Sequence, residues 1–186
     1  NVLERSIEIC YETNGMFDVT VSPIVNDWGF GPGKKNKTNI NTTYSVGCDK
    51  VHLRDRKIFK EDNVTIDLNG IAQGYTVDYI SNYLIEHQIS DFMVEIGGEV
   101  YCHGTNLGKD WRIGIEKPVN RRSNDFLYVL SLNGMSLATS GSYRNFYFDE
   151  SQKISHTINP KTLQPALNNL ISATILHQNC MSADAY

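Results

Sequence analysis

The sequence predicts an α+β fold in which mostly antiparallel sheets pack with a few helices. Strand-like runs far outnumber helical patterns, and no regular alternation of strand with helix appears, as a doubly wound parallel sheet would require. Gly, Asn or Pro signals separate most of the strand-like runs, which is the punctuation of hairpins. With 186 residues the chain is long enough to bury a core, organised as one region over 1–186 or as two small, closely packed α+β lobes.

Taken in order, Val2, Leu3, Ile7, Ile9 and Cys10 have roughly helical spacing, and Asn14-Gly15 supplies the stop. "FDVTVSPIV" alternates briefly before Pro23, and "NDWGFGPGKKNKTNINTT" has the Gly, Asn, Lys and Thr content of a surface loop. Short β-type runs follow, "KVHL", "KIF" and "VTIDL", separated by the turns Arg54-Asp55 and Glu61-Asp62-Asn63. Between Ala72 and His87 the period changes: Ala72, Tyr75, Tyr79, Ile80, Tyr83 and Leu84 recur at three and four, the expected stripe of a helix packed on a sheet. Strand-like runs resume at "FMVEIGG", "EVYCHG", "WRIGIEK", "FLYVLSL", "MSLATSG", "NFYFD" and "LISATIL". Neither an internal repeat nor a low-complexity segment is present.

A net charge of -4 argues against nucleic acid as a partner, because phosphate binding needs clustered Lys and Arg that release counterions. The two basic clusters, Lys34, Lys35 and Lys37, and Arg54, Arg56 and Lys57, read as solvated loops or turns. Four cysteines, Cys10, Cys48, Cys102 and Cys180, form no C-x-x-C pair, and each reads as a small buried hydrophobe. No apolar run approaches the ~20 residues that span a bilayer. The abrupt start "NVLERSIEICYETNG" and end "MSADAY" read as a fragment cut from a longer chain.

The stretch "VTIDLNGIAQGYTVDYI" carries the first candidate chemistry. Asp67 is expected to end a strand, Gly70 and Gly74 to open the backbone to a ligand, and the helix from Ala72 to direct unpaired N–H groups outward. Such a helix start is a natural seat for phosphate or pyrophosphate. A plain strand-to-helix turn capped by Asp67 or Asn69 is the more economical reading of the local pattern alone. Gly97-Gly98 reads as a bulge or tight turn, or as room for a flat ring, and Thr139, Ser140 and Ser142 as phosphate donors or ordinary turn residues. His156, before the Asn159-Pro160 turn, is able to exchange a proton near neutral pH, although a lone histidine there is more often structural. Asp184 is placed where a helix begins, as a cap, a surface acid or a ligand for a hard cation such as Mg²⁺.

In sequence, "GMFDVTVSPIVNDWGFGP", "IDLNGIAQGYTVDYI", "MVEIGGEVYCHG", "WRIGIEKP", "LATSGSYRNFYF", "HTINPKTLQP" and "SATILHQNCMSADAY" form an ordered series over residues 1–186. That series resembles the FAD:protein FMN transferase family, known as ApbE and once described as thiamine-biosynthesis lipoproteins. The resemblance implies an ApbE-like, T-fold-like architecture and an extracytoplasmic, periplasmic or outer-face enzyme, often lipid-anchored. It implies binding of FAD and Mg²⁺, cleavage of the pyrophosphate, transfer of FMN to a Thr or Ser hydroxyl of an acceptor protein, and release of AMP. Acceptors implied by the resemblance are subunits of sodium-pumping NADH:quinone reductase, Rnf-type electron-transfer complexes and related flavoproteins. Within the family, metal-dependent hydrolysis of FAD to FMN and AMP is the alternative activity, and a flavin carrier without chemistry is the alternative outside it.

Carried over residue by residue, the resemblance sets Met16, Phe17 and Asp18 against the flavin nucleotide and Asp67 and Gln73 at FAD, with the Gly70 carbonyl on the metal. It also sets His156 and Thr157 at the reacting end and makes Asp184 the main metal ligand. Gln73 stands where the family usually has Lys, Ser142 where it has Asp, Asn159 where it has Asp, and Leu163 where it has Gly. The family's metal-binding Thr would fall beyond Tyr186, so this chain alone is expected to bind FAD and metal poorly.

Overall fold

The computed structural model describes residues 1–31, 44–119 and 125–186. Lys34, Lys35 and Lys37, with most of the loop read around them, lie outside the described residues. In chain order the elements are α1 (Val2–Glu12), α2 (Ser22–Asp27), a short 3-10 turn (Cys48–Lys50), β1 (Val51–Arg54), β2 (Lys57–Lys60), α3 (Ala72–Glu86), β3 (Phe92–Ile96), β4 (Glu99–His103), β5 (Trp111–Glu116) and β6 (Phe126–Leu132). There follow β7 (Met135–Gly141), β8 (Phe146–Asp149), β9 (Gln152–Ser155), β10 (Ile158–Asn159), β11 (Gln164–Pro165), β12 (Ser172–His177) and α4 (Cys180–Ala185). Every ladder among the described residues is antiparallel, as expected of an α+β chain of hairpins.

The chain divides into two compact units, Asn1–Leu68 with Asn145–Asn169, and Asn69–Arg144 with Leu170–Tyr186. In the first, α1 starts from a capping box in which Asn1 accepts from Leu3 and Glu4 amides and Glu4 reaches back to the N-terminal amine. Its apolar side packs Leu3 with Val19, Val51 and Val64. A second cluster joins Ile24, Trp28, Ile154 and Ile158. The brief alternation in "FDVTVSPIV" forms a turn followed by α2. Asp18 Oδ1 accepts the Thr20 amide two residues on, and Pro23 within the first helical turn suits a helix start. "VTIDL" forms no strand; Asp67 sits in a segment without regular secondary structure, and its amide donates to the Val19 carbonyl at 2.7 Å. The Arg54–Lys57 cluster is, as expected, a hairpin turn, with Asp55 and Arg56 both left-handed.

The cysteine expectation needs correction in this unit. Cys10 and Cys48 form a disulfide, tying α1 to the 3-10 turn across 38 residues of sequence. Cys102 and Cys180 are free and buried, as expected of small hydrophobes.

The second unit is built on a four-stranded sheet in the order β12-β7-β4-β3. Register places Phe92 opposite His103, Val94 opposite Tyr101 and Ile96 opposite Glu99, so these six side chains share one face. Phe92 and Val94 pack there with Val77 of α3 and Cys180 of α4. On the alternating positions, Val100 and Cys102 pack with Leu132 and Leu137, supported by Trp111 and Ile113 of the β5-β6 hairpin.

The buried stripe of α3 differs from the expected tyrosine stripe. Gly74, Val77 and Ser81 face inward, while Tyr75, Tyr79, Ile80 and Tyr83 are exposed, Tyr79 to 66%. Both sets repeat at helical spacing, and the small residues win the inner face because they allow close approach to α4. A Cβ on Gly74 would lie 2.3 Å from the Cys180 carbonyl oxygen and 2.8 Å from Asp184 Cβ. Gly74 therefore serves helix packing, not ligand approach. Thr139, Ser140 and Gly141 belong to β7 rather than to a turn, with Thr139 Oγ1 2.9 Å from Thr174 Oγ1 on β12.

Candidate active site

In the second unit, α3 and α4 exchange carboxylates. Asp78 of α3 accepts the Cys180 and Met181 amides at 2.7 and 2.8 Å, capping the start of α4 alongside Asn179, whose side chain accepts from the Ser182 amide. Asp184, in the last turn of α4 and not at a helix start as expected, returns to α3: its Oδ2 accepts the Gly74 amide at 2.9 Å. The N-cap of α3 is Ile71, whose side chain caps nothing, and not Asp67 or Asn69 as expected. The helix start that the sequence offers to an anion thus receives the protein's own carboxylate.

Burial raises the Asp184 carboxyl above its ordinary range, against the opposing pull of the Gly74 amide. Next to it stands an acid the sequence reading passed over. Glu99 opens β4 and is only 7% exposed, yet its Oε2 has no hydrogen-bond partner among the described residues. Its carboxyl is also held high, first by burial and then by the negative charge of Asp184. The signal was present in "EIGGEV": an acid beside two glycines, on the same strand face as apolar residues.

The Gly97-Gly98 turn closes this edge. Both residues have positive φ, as a two-residue hairpin requires, and the Gly98 amide donates to Glu95 Oε1 at 3.1 Å. A Cβ on Gly97 would meet Gln73 Nε2 at 2.2 Å and Glu99 Oε2 at 3.2 Å, so the turn brings the Gln73 amide and the Glu99 carboxylate over the same glycine. Gln73 and Gly70 are exposed at the start of α3. The Asp184 and Glu99 carboxylates are hard oxygen ligands that suit Mg²⁺ or a similar cation, and the orphaned Glu99 oxygen leaves charge for it to satisfy.

The other candidates belong to the first unit. Met16 is exposed, Phe17 packs against the Leu3 cluster, and Asp18 is buried. Asp18 is fully engaged: Oδ1 accepts from the Thr20 amide and hydroxyl at 2.8 and 2.7 Å, and Oδ2 from the Cys48 amide at 3.0 Å. Among the described residues, Cys10, Asp18 and Cys48 form the one group of three potential metal donors within 4.8 Å of one another, but the disulfide consumes both thiols. His156 is half-buried, its ring near Phe30, and its Nδ1 lies 3.2 Å from the Asn145 carbonyl oxygen. Only a protonated Nδ1 makes that bond, which in the neutral ring leaves the Nε2 lone pair to accept a proton. Thr157 is exposed beside it. The Asn159-Pro160 turn forms as expected, with Asn159 Oδ1 accepting the Lys161 and Thr162 amides. Leu163, in place of glycine, adopts φ +58° there.

The antiparallel sheet, with two helices on one face that trade carboxylates with each other, defines an α+β protein carrying an acid-bearing helix turn. The model of the ApbE family matches residues 1–186, and the chain belongs to that family. A Haemophilus influenzae FAD:protein FMN transferase is 37% identical over 98% of this chain and 56% of its own length. The FAD:protein FMN transferase of Klebsiella pneumoniae (strain 342) is 33% identical, over 100% of this chain and 56% of its own. Among solved structures, the apo flavinyl transferase ApbE of Pseudomonas stutzeri superposes with a TM-score of 0.86 at 27% identity, covering 99% of this chain and 59% of that one. The chain therefore spans little more than half the length of the relatives it matches.

Proposed function

We propose that the protein containing this chain is a Mg²⁺-dependent flavin transferase that cleaves FAD, attaches FMN through a phosphoester bond to a Thr or Ser hydroxyl of an acceptor flavoprotein, and releases AMP. The observation that carries this reading is Asp184 held at the amino end of α3 beside an unsatisfied buried acid, within a chain matched along its whole length by the ApbE family. The names of its relatives supply the flavin chemistry.

In the transfer, the acceptor hydroxyl oxygen attacks the phosphorus on the FMN side of the pyrophosphate. A new P–O bond forms, the bridging P–O bond breaks, and AMP leaves with the bonding electron pair. His156 is our candidate for the hydroxyl proton, through the Nε2 lone pair that its Nδ1–H bond to Asn145 leaves open. Asp184 and the Gly70 carbonyl would hold the Mg²⁺, which when bound neutralises charge growing on the phosphate oxygens. Gln73 would meet the nucleotide by hydrogen bonding without a positive charge. Met16, Phe17, Asp18, Asp67 and Thr157 would serve the flavin nucleotide and the acceptor, Asp18 by keeping its segment in shape.

Acceptors of the kind found in sodium-pumping NADH:quinone reductase and Rnf-type complexes are the partners we propose, presenting a short Thr- or Ser-containing segment. We place the protein outside the cytoplasm, in the periplasm or on the outer face of a bacterial membrane, with a lipid anchor in the whole protein. The Cys10–Cys48 disulfide supports that compartment, because such bonds persist where the environment is oxidising. No helix among the described residues is long and apolar enough to cross a membrane.

The test is to incubate the full-length protein with FAD, Mg²⁺ and a candidate acceptor domain, then examine the denatured acceptor for flavin fluorescence and the mass increment of FMN. Labelling that depends on the cation establishes the transferase. Free FMN and AMP without label, across several acceptors, would point to the hydrolase instead.

A further inference from the structure

We propose that Glu99 is a second carboxylate of the cation seat, supplying an anionic oxygen to the same hard divalent cation as Asp184. The inference rests on the functional reading above and extends it to a residue that reading does not use.

Three independent features carry it. The register of β3 and β4 puts Glu99 on the sheet face that packs against α3 and α4, the face where Asp184 meets Gly74. Glu99 is more than nine-tenths buried, and its Oε2 finds no donor among the described residues, which is costly for a carboxylate unless something outside the chain satisfies it. Its neighbours are acidic, Asp184 and Glu95 among them, and among the described residues no Lys or Arg is shown paired with it as in an internal ion pair. Gln73, the nearest polar side chain over Gly97, is neutral, and the Glu95 Oε1 is already taken by the Gly98 amide. Two converging acids without a counter-cation from the protein match what Mg²⁺ or Mn²⁺ takes from a protein: one or two carboxylates, with water and substrate phosphate completing the shell.

Mn²⁺ binding to the full-length protein, without flavin, tests this by electron paramagnetic resonance of the free ion and by the metal-induced rise in Tm. The variants are Glu99→Gln, Glu99→Asp and Asp184→Asn. Glu99→Gln is expected to weaken Mn²⁺ binding at least tenfold and to lose most of the Tm rise, with Glu99→Asp between it and wild type. Because Gln removes a buried charge and keeps the shape, its metal-free Tm should not fall, which separates a lost ligand from a lost fold. If Asp184→Asn abolishes binding while Glu99→Gln stays within twofold of wild type, Glu99 is a protonated structural residue and the inference is overturned alone. If Asp184→Asn binds Mn²⁺ like wild type, the cation reading of the site fails and this inference fails with it.

Discussion

The Gly74 amide donates to Asp184 Oδ2 at 2.9 Å, joining residues 110 apart in sequence. The bond has a counterpart in Asp78, which caps α4 from α3, so each helix supplies the acid that the other's first turn needs. A carboxylate fixed by a backbone N–H keeps its second oxygen oriented without spending side-chain entropy at the moment of ligand binding. Closeness of the two helices is what makes this exchange work.

That closeness depends on the missing side chain at position 74. In an ordinary helix interior, Gly to Ala stabilises by about 1 kcal/mol. Here a Cβ would collide with the Cys180 carbonyl and with Asp184, and backbone is the part least able to yield. Gly74→Ala is expected to destabilise by about 1–3 kcal/mol, read from urea unfolding. A more stable variant would show that α3 and α4 are not so closely packed.

Asp78 sets a pH dependence of definite sign. Burial raises its carboxyl above the ordinary 3.8, against the opposing pull of the Met181 and Cys180 amides and of His177. The unfolded carboxyl ionises first, so this contribution is full below 3.8 and is lost as pH rises toward the folded value. The stability difference between wild type and Asp78→Asn should therefore shift against wild type as pH rises through that window, then level off. A difference that grows in favour of wild type with pH would mean that the two amide bonds outweigh burial.

Reduction offers a separate handle on the first unit. Opening the Cys10–Cys48 bond, which closes 38 residues of chain, should lower stability by about 3–4 kcal/mol. The check is Tm with and without reductant, with Cys10→Ser/Cys48→Ser as the control that no longer responds. An unchanged Tm would mean that the Asp18 hydrogen bonds to Thr20 and Cys48 suffice to hold the segment.

Leu163 pits strain against packing. Its φ of +58° disfavours an L side chain by about 1–2 kcal/mol, while its side chain packs on the Ile24 and Trp28 cluster and its carbonyl accepts from Trp28 Nε1. Leu163→Ala loses packing and keeps the strain, whereas Leu163→Gly loses packing and relieves it. The Gly variant should be the more stable of the two by about 1 kcal/mol in denaturant midpoints. Equal stabilities would deny the strain.

Much of the architecture was legible because periodicity and turn chemistry are local. The 72–87 helix, the Gly97-Gly98 turn, the Arg54–Lys57 turn and most longer strands appear where the pattern put them. What pattern reading mistook were choices made by tertiary packing. Two helical stripes coexist in α3, and only contact with α4 selects Gly74, Val77 and Ser81 over the tyrosines. Cys10 and Cys48 carry no local sign of their pairing, and Asp184 discloses its partner only once the ends of α3 and α4 are side by side. Glu99 was hidden for a related reason: the glycines before it drew attention to backbone shape, while its burial follows from strand register.

The most direct test of the central claim is the stoichiometry of AMP released to FMN covalently bound to acceptor, followed in the full-length protein and in Asp184→Asn. One AMP per acceptor labelled in wild type, with both products lost in the variant, is the predicted result. Unchanged labelling by Asp184→Asn would contradict the account, because the carboxylate seated on Gly74 would then have no part in the transfer.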